Sequence, residues 1–374
     1  MAGIYIHIPF CKQACLYCNF HFSTSLEYSQ RMIQSILKEM EMRKHECTEE
    51  IETIYVGGGT PSILEMEEMD ALINQLYKHY RIAPTAEITL EANPDDISRQ
   101  KAEEWKSMGI NRFSIGVQSF SDKHLKWMNR AHDAAQSLAC IDKIREVGFE
   151  NFSIDLIYGT PGQSLKEWEQ DLEKTFELQV PHLSCYALTV EEETPLFHLI
   201  EKGKKEKVSS DLQAEQFNTL VSLTKAAGYH HYEISNFAKP GMESKHNSSY
   251  WKGKPYMGFG PSAHSYDQHA RSWNLSHNIN YMQSIENNLL PSEKEILSER
   301  DRMNEYIMTN LRLSSGINTN HILQHWGNEE LQRIQDALGK YIEQDLAETT
   351  EVGWRLTDQG KFFADGIASA LFKL

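Results

Sequence analysis

No stretch of the sequence approaches the roughly 20 consecutive apolar residues that cross a bilayer. The opening Met1-Ala2-Gly3-Ile4-Tyr5-Ile6-His7 has neither a basic region nor a cleavage site, so a cytoplasmic protein with no transmembrane segment is expected. Cysteine is scarce: six in 374 residues are too few for a disulfide scaffold at this size. Positive charge is in deficit, 37 Lys and Arg against 53 Asp and Glu for a formal net charge of -16, which leaves no broad electrostatic footprint for nucleic acid. What is present is 40% hydrophobic content, enough to bury one large core and a smaller one. Three of the six cysteines also crowd into the eight residues Cys11 to Cys18, which points to a metal.

Short β-rich runs recur at Ile4 to Ile8, Thr53 to Val56, Glu87 to Leu90, Arg112 to Val117, Asn151 to Ile157 and His182 to Leu188. The stretches between them, such as Leu26 to Lys44 and Ser164 to Leu178, carry apolar residues at three- and four-residue spacing and are long enough for crossover helices. The pattern predicts six βα units with parallel strands. Glycine-rich or polar residues follow several runs, as in Gly57-Gly58-Gly59 and Gln118-Ser119, where parallel α/β folds place their sites.

From about Glu295 helical patterns take over, at Asp301 to Leu313, Asn320 to Trp326 and Glu329 to Gln344, followed by a small hairpin turning near Glu351 and a final helix. The expected division is therefore 1–294 and 295–374, the second part winged-helix-like. Thirteen acids against eight bases from Glu295 onward disfavour phosphate contacts and point to packing or a lid role.

The segment Cys11-Lys12-Gln13-Ala14-Cys15-Leu16-Tyr17-Cys18 offers three thiolates on one short loop. In a four-iron cluster three ligands leave one iron open; a closed cluster needs a fourth cysteine, and Cys47, Cys140 and Cys185 are all distant in sequence. A structural zinc site with His21 as fourth ligand is the competing reading, although zinc modules usually bring their ligands as two separated pairs.

CxxxCxxC with an aromatic residue, Tyr17, before the last cysteine resembles the signature of radical-SAM enzymes. Further motifs in order, Tyr5-Ile6-His7-Ile8-Pro9-Phe10-Cys11, Gly57-Gly58-Gly59-Thr60-Pro61, Glu91-Ala92-Asn93-Pro94, Gly116-Val117-Gln118-Ser119 and Asp155-Leu156-Ile157-Tyr158-Gly159, resemble the coproporphyrinogen III dehydrogenase and HemW branch across essentially the whole chain. The resemblance implies a partial (β/α)6 TIM-like barrel and, over 295–374, a mainly helical domain like the C-terminal domain of that branch. It implies a [4Fe-4S] cluster on Cys11, Cys15 and Cys18 and S-adenosylmethionine (SAM) held against the open iron, where one electron cleaves the sulfonium to methionine and a 5'-deoxyadenosyl radical. The cofactor carries that chemistry and the protein orients it; no catalytic side chain is assigned.

By the same resemblance Gly58, Gly59 and Thr60 line the methionyl end of SAM, although a glycine triplet alone reads first as a tight βα turn. Glu91, Gln118, Arg130 and Asp155 map onto SAM contacts, with Arg130 suited to the SAM carboxylate and Asp155 to a ribose hydroxyl. Tyr5 and Tyr17 match as well. Each polar residue alone reads as a satisfied hydrogen bond or cap; their common place at strand ends favours a site.

Lys245-His246-Asn247-Ser248-Ser249-Tyr250-Trp251 resembles the HNxxYW motif of the HemW heme chaperones, which makes His246 a candidate heme ligand. Gly258 to Ser265 reads as a loop closing the barrel side, with His264 a weaker candidate. The expected partners are heme, heme-acceptor proteins and an electron donor for the cluster. The alternative is the dehydrogenase, which decarboxylates two propionates. Its motif extends to CxxxCxxCxC where Phe20 stands here, and it carries a long N-terminal segment, whereas Cys11 is preceded by ten residues. Both differences favour HemW.

Overall fold

The computed structural model describes residues 2–373. Six strands, β1 (Ala2–Ile8), β2 (Ile51–Gly58), β3 (Ile82–Ala92), β4 (Arg112–Gln118), β5 (Phe152–Tyr158) and β6 (His182–Ala187), pair parallel in chain order. Helices connect them, among them Ser29–Met42, Met66–His79 and Leu165–Glu177. The last starts at a capping box in which Ser164 accepts from Glu167 N and the Glu167 carboxylate accepts from Ser164 N. This is the partial barrel expected from the sequence.

The strand sequences alternate, and the alternation decides where the cavity lies. In β4, Phe113, Ile115 and Val117 are buried in one hydrophobic core with Ile4, Ile6 and Ile8 of β1, Ile154 and Leu156 of β5, and helix residues such as Met32 and Ile36. The opposite parity carries Arg112, Ser114, Gly116 and Gln118 in β4, Thr53 and Tyr55 in β2, Glu87 and Glu91 in β3, Asp155 in β5, and His182, Ser184 and Tyr186 in β6. Parallel strands covered on both faces usually read as continuous apolar runs; these keep a polar face because it points into the barrel. Its floor holds buried Arg112, 4.0 Å from the Glu87 carboxylate, and His182, whose Nε2 lies 2.7 Å from the Tyr232 hydroxyl.

The sheet continues past both barrel edges. Beyond β6 lies a hairpin of β7 (His230–Glu233) and β8 (Asn236–Ala238), with β8 antiparallel to β6. Beyond β1, strand β9 (Tyr256–Phe259) pairs parallel, followed by β10 (His264–Tyr266), β11 (Ala270–Asn274) and β12 (Ser292–Ile296). The stretch Gly258 to Ser265, expected as a loop, therefore contributes to two strands, and Lys245 to Trp251 forms a short helix capped by Ser244. Glu39 of the first helix secures the β9 edge: its carboxylate accepts from Arg43, Asn274, Tyr281 and Gly260 N, all buried.

Strand β12 straddles the boundary between residues 294 and 295, and a second core begins with Met303, Ile307 and Leu311. There the helix Glu299–Leu311 precedes a helical stretch Thr319–Glu343 broken at Gly327 (φ 84°). Residues Ala347–Thr349 and Gly353–Leu356 pair antiparallel before the helix Ala364–Leu371, so the helix, hairpin and helix order expected there is present. No helix among the described residues is long and apolar enough to cross a membrane.

Candidate cofactor cavity

The loop after β1 is held from two sides. Cys11 N donates to Ser23 O at 3.0 Å and Cys18 N to Cys15 O at 3.4 Å. From the segment after β4, the Asn129 side chain donates to Ala14 O at 2.8 Å, and Gln13 donates back to Asn129 O at 2.9 Å. Asn129 has φ 59°, a left-handed conformation that asparagine tolerates better than most residues. That turn delivers Arg130, whose Nη1 donates to Cys15 Sγ at 3.3 Å and whose Nη2 donates to Asn93 Oδ1 at 2.6 Å and Gly116 O at 2.8 Å. Thr60 Oγ1 donates to Cys11 Sγ at 3.5 Å.

The glycine triplet is shaped by the chain itself. Gly59 N donates to Ile8 O and Thr60 N to Phe10 O, continuing the β1–β2 pairing into the cysteine loop. A Cβ on Gly59 would lie 2.5 Å from Phe10 O, and Gly58, at φ 111°, has the His7 ring against it. Gly59 lets one backbone approach another and Gly58 makes room for a side-chain ring, which the reading of a ligand-facing loop did not include. Gly58, Gly59 and Thr60 nevertheless line the cavity.

That cavity measures about 580 Å³. Cys11, Cys15, Tyr17 and Cys18 line it together with Gly58, Gly59, Thr60, Glu91, Gln118, Arg130 and Asp155. Glu91 accepts from the Tyr55 hydroxyl at 2.7 Å and from Gly58 N at 3.0 Å. Burial, with Asp155 adding its charge, pushes the Glu91 carboxyl up to about 7 despite those two bonds. Burial likewise pushes Asp155 up to about 6, against a hydrogen bond from Ser184 and the field of Arg112. Gln118 closes β4 at φ 66°, an uncommon conformation for a residue with a long side chain.

Three residues singled out in the sequence, Tyr5, His246 and His264, lie outside this wall. Tyr5 sits one row behind it, 3.1 Å from His7 Nδ1 through its hydroxyl and stacked on Tyr55. His246 is 1% exposed: Nδ1 is 2.8 Å from Thr53 Oγ1, Nε2 is 2.8 Å from the Tyr250 hydroxyl, and the ring stacks on Tyr55 at 5.1 Å. Burial, and then the Arg112 charge, lowers its pKa to about 3, so the ring is neutral. With both nitrogens engaged and no face on the cavity, the imidazole is not placed to ligate a metal there. His264 faces outward on β10, its ring 6.0 Å from that of Trp273.

The sequence reading missed Tyr55, Ser114, Ser184 and Tyr186, which line the same cavity. Their signal was parity: each lies an even number of residues from an inward-facing position already recognised on its own or a paired strand.

The donor set fits an iron–sulfur cluster. Three soft thiols stand on one loop, half-buried and unpaired in disulfides, with Arg130 and Thr60 donating to two of the sulfurs. Burial pushes the Cys11 thiol up to about 11, so a bound cation is needed to hold it as thiolate at neutral pH. A single zinc ion fits less well: among the described residues no three His, Cys, Asp or Glu side chains converge on one point, and His21 Nε2 is taken up 2.7 Å from Asn278 Oδ1.

Comparison with known proteins agrees with this arrangement. Residues 5–175 match the model of the Radical SAM superfamily and residues 297–363 that of the HemN C-terminal domain. The chain is 34% identical to the heme chaperone HemW of Bacillus subtilis (strain 168), covering 99% of each chain. It is 33% identical to HemW of Escherichia coli (strain K12), over 98% of this chain and 96% of that one. Among solved structures it is similar to coproporphyrinogen III oxidase (HemN) from Escherichia coli, a radical SAM enzyme, at a TM-score of 0.87 and 22% identity, over 100% of this chain and 90% of that one, which shows the shared fold. The chain thus belongs to the radical SAM superfamily, in the family of the HemW and oxygen-independent coproporphyrinogen III oxidase-like proteins.

Proposed function

We propose that this protein is a heme chaperone: it holds a [4Fe-4S] cluster and SAM, binds heme, and passes the heme to acceptor proteins in the cytoplasm, with a separate electron donor serving the cluster. The observation that carries the reading is Phe20, two residues after Cys18. It is 68% exposed and lines the cavity where the dehydrogenase motif has a fourth cysteine. The relatives named heme chaperone, 31 to 35% identical, support it.

In this proposal Cys11, Cys15 and Cys18 hold the cluster, Gly58, Gly59 and Thr60 border the methionyl end of SAM, and Glu91, Gln118 and Asp155 offer it hydrogen bonds. Arg130 braces the cysteine loop and presents its charge to the SAM carboxylate; Tyr17 shields the loop. Cluster and SAM together supply one-electron chemistry that side chains lack. Tyr5 and His246 support the wall from behind through Tyr55. The helices and hairpin that follow β12 carry the second core and contribute Arg312, Lys361 and Phe362 to the cavity lining.

The test reconstitutes the cluster anaerobically and runs a heme titration and a coproporphyrinogen turnover assay on the same preparation. Saturable heme binding without conversion of coproporphyrinogen III is expected. Multiple-turnover decarboxylation would establish the dehydrogenase instead, and absence of heme binding would remove the chaperone reading.

A further inference from the structure

The outer wall of the cavity is built by residues from late in the chain. Arg312 caps the helix Glu299–Leu311; its carbonyl accepts from Ile234 N at 3.1 Å, and Ser314 N donates to Tyr232 O at 3.0 Å. These backbone bonds stitch the second core to the β7–β8 hairpin and bring Arg312 to the cavity. The guanidinium carbon stands 5.1 Å from the centroid of the Trp251 ring, a cation–π contact. Trp251 ends the Lys245–Trp251 helix, whose Asn247 lines the same cavity.

Arg312 has two acidic neighbours, Asp365 and Glu233, and keeps a donor that neither takes up. Nη1 donates to Asp365 Oδ1 at 2.8 Å, but that side chain is 84% exposed, and a pair made with so exposed a carboxylate is weak and easily exchanged. Nε is buried without a hydrogen-bond partner among the described residues. Buried Glu233 accepts from Ser235 N and the Asn236 side chain through Oε1, while its Oε2 has no hydrogen-bond partner among the described residues and the carboxyl lies in the field of Arg312. Lys361, the other cation on this wall, donates to Asp358 at 2.9 Å and lies 3.2 Å from His231 Nδ1. Arg312 is therefore the outer cation with donors to spare. The cavity lining that includes Arg312 also carries the aromatics Phe20, Phe22, Tyr186, Phe217 and Phe362.

A planar apolar ligand that carries carboxylates matches this combination, with rings against the macrocycle and a planar fork for a carboxylate. We infer that Arg312, steadied by Trp251, binds a propionate carboxylate of the heme and so fixes which edge of the macrocycle faces the cavity mouth. The inference rests on the heme reading above. It gives the Lys245–Trp251 helix a role through Trp251 that does not require a free imidazole at His246.

The test compares dissociation constants for heme and for its dimethyl ester, by absorbance titration of the cluster-loaded protein, in wild type, Arg312→Met, Arg312→Lys and Asp365→Asn. Wild type should hold the diacid about tenfold more tightly than the ester, the scale of one hydrogen bond between charged groups. Arg312→Met should bring the ratio to about one, Arg312→Lys should restore part of it, and Asp365→Asn should keep or raise it by removing the competing carboxylate. The inference fails if Arg312→Met keeps the wild-type ratio, including by lowering both affinities alike. A wild type that binds acid and ester equally overturns the inference while heme binding stands; a wild type that binds neither overturns both.

Discussion

The Tyr55 hydroxyl donates to Glu91 Oε1 at 2.7 Å, and the ring that carries it stacks on His246 at 5.1 Å. One residue thus joins the cavity wall to the buried imidazole behind it.

A pH dependence follows from Glu91 and Asp155. Burial raises both carboxyls in the folded protein, to about 7 and about 6, above their ordinary values. Between roughly pH 4 and 7 the native state binds more protons than the unfolded chain, so stability is full below that window and falls as pH rises through it. Glu91 accounts for about 1 to 3 kcal/mol of the loss, less than its full shift because it borders a wet cavity. Thermal melts of cofactor-free protein should show Tm declining from pH 5 to 8, with a shallower decline in Glu91→Gln. In Tyr55→Phe the decline should move to higher pH, because a hydrogen bond that favours the carboxylate is gone. A flat profile in wild type counts against this account.

Much of this wall was legible in the sequence. Glu91 and Gln118 stand at the ends of their strands as expected, Asp155 lies in the middle of Phe152–Tyr158 rather than at its end, and the ordered motifs suggested roles for all three by resemblance. Tyr55 and Tyr186 were missed because an aromatic in a β-rich run reads as core, and only the parity of paired strands turns it inward. Arg312 was out of reach: its place depends on backbone bonds between Ile234 and a segment some eighty residues later, which no local pattern encodes. His246 shows what a motif does not carry. The motif marked the residue, but not that Thr53 and Tyr250 occupy both nitrogens.

The cysteines divide into two groups by environment. Cys11, Cys15 and Cys18 line the cavity, whereas Cys140 and Cys185 are buried in the core and Cys47 packs against it. Replacing any one of the first three by Ala should abolish the broad visible absorbance and most iron and sulfide after anaerobic reconstitution, since each thiolate holds one iron. Replacing Cys47 by Ala should leave about four irons and four sulfides per chain. Cluster content that survives all three loop substitutions would remove the cluster assignment.

His246→Ala should act on stability. The change leaves the Thr53 and Tyr250 hydroxyls without a partner and opens a void beside Tyr55, at a combined cost of about 2 to 4 kcal/mol. Urea unfolding should report that loss, while the heme Soret maximum of the variant keeps its wild-type position. A shifted maximum with unchanged folding would mean that the imidazole leaves its pocket to ligate iron.

Gly59→Ala separates two reasons for the glycine triplet. If the glycines served only a ligand, alanine would weaken SAM binding and leave cofactor-free stability alone. The geometry says otherwise: the new Cβ would meet Phe10 O at 2.5 Å and Ile8 O and Phe10 N at 2.9 Å, all backbone atoms that cannot rotate away. Either β2 or the cysteine loop must move, at a cost of about 1 to 3 kcal/mol typical of overpacking, and loop movement also displaces Cys11. The expected result is a lower Tm in cofactor-free protein together with poor cluster incorporation. Gly339→Ala is the control, because it lies within the helical stretch Thr319–Glu343 with nothing within 4 Å of the added carbon. There alanine should add about 0.5 to 1 kcal/mol by restricting the unfolded chain. A Gly59→Ala protein that melts with the wild type and loses only SAM would assign the triplet to the ligand alone.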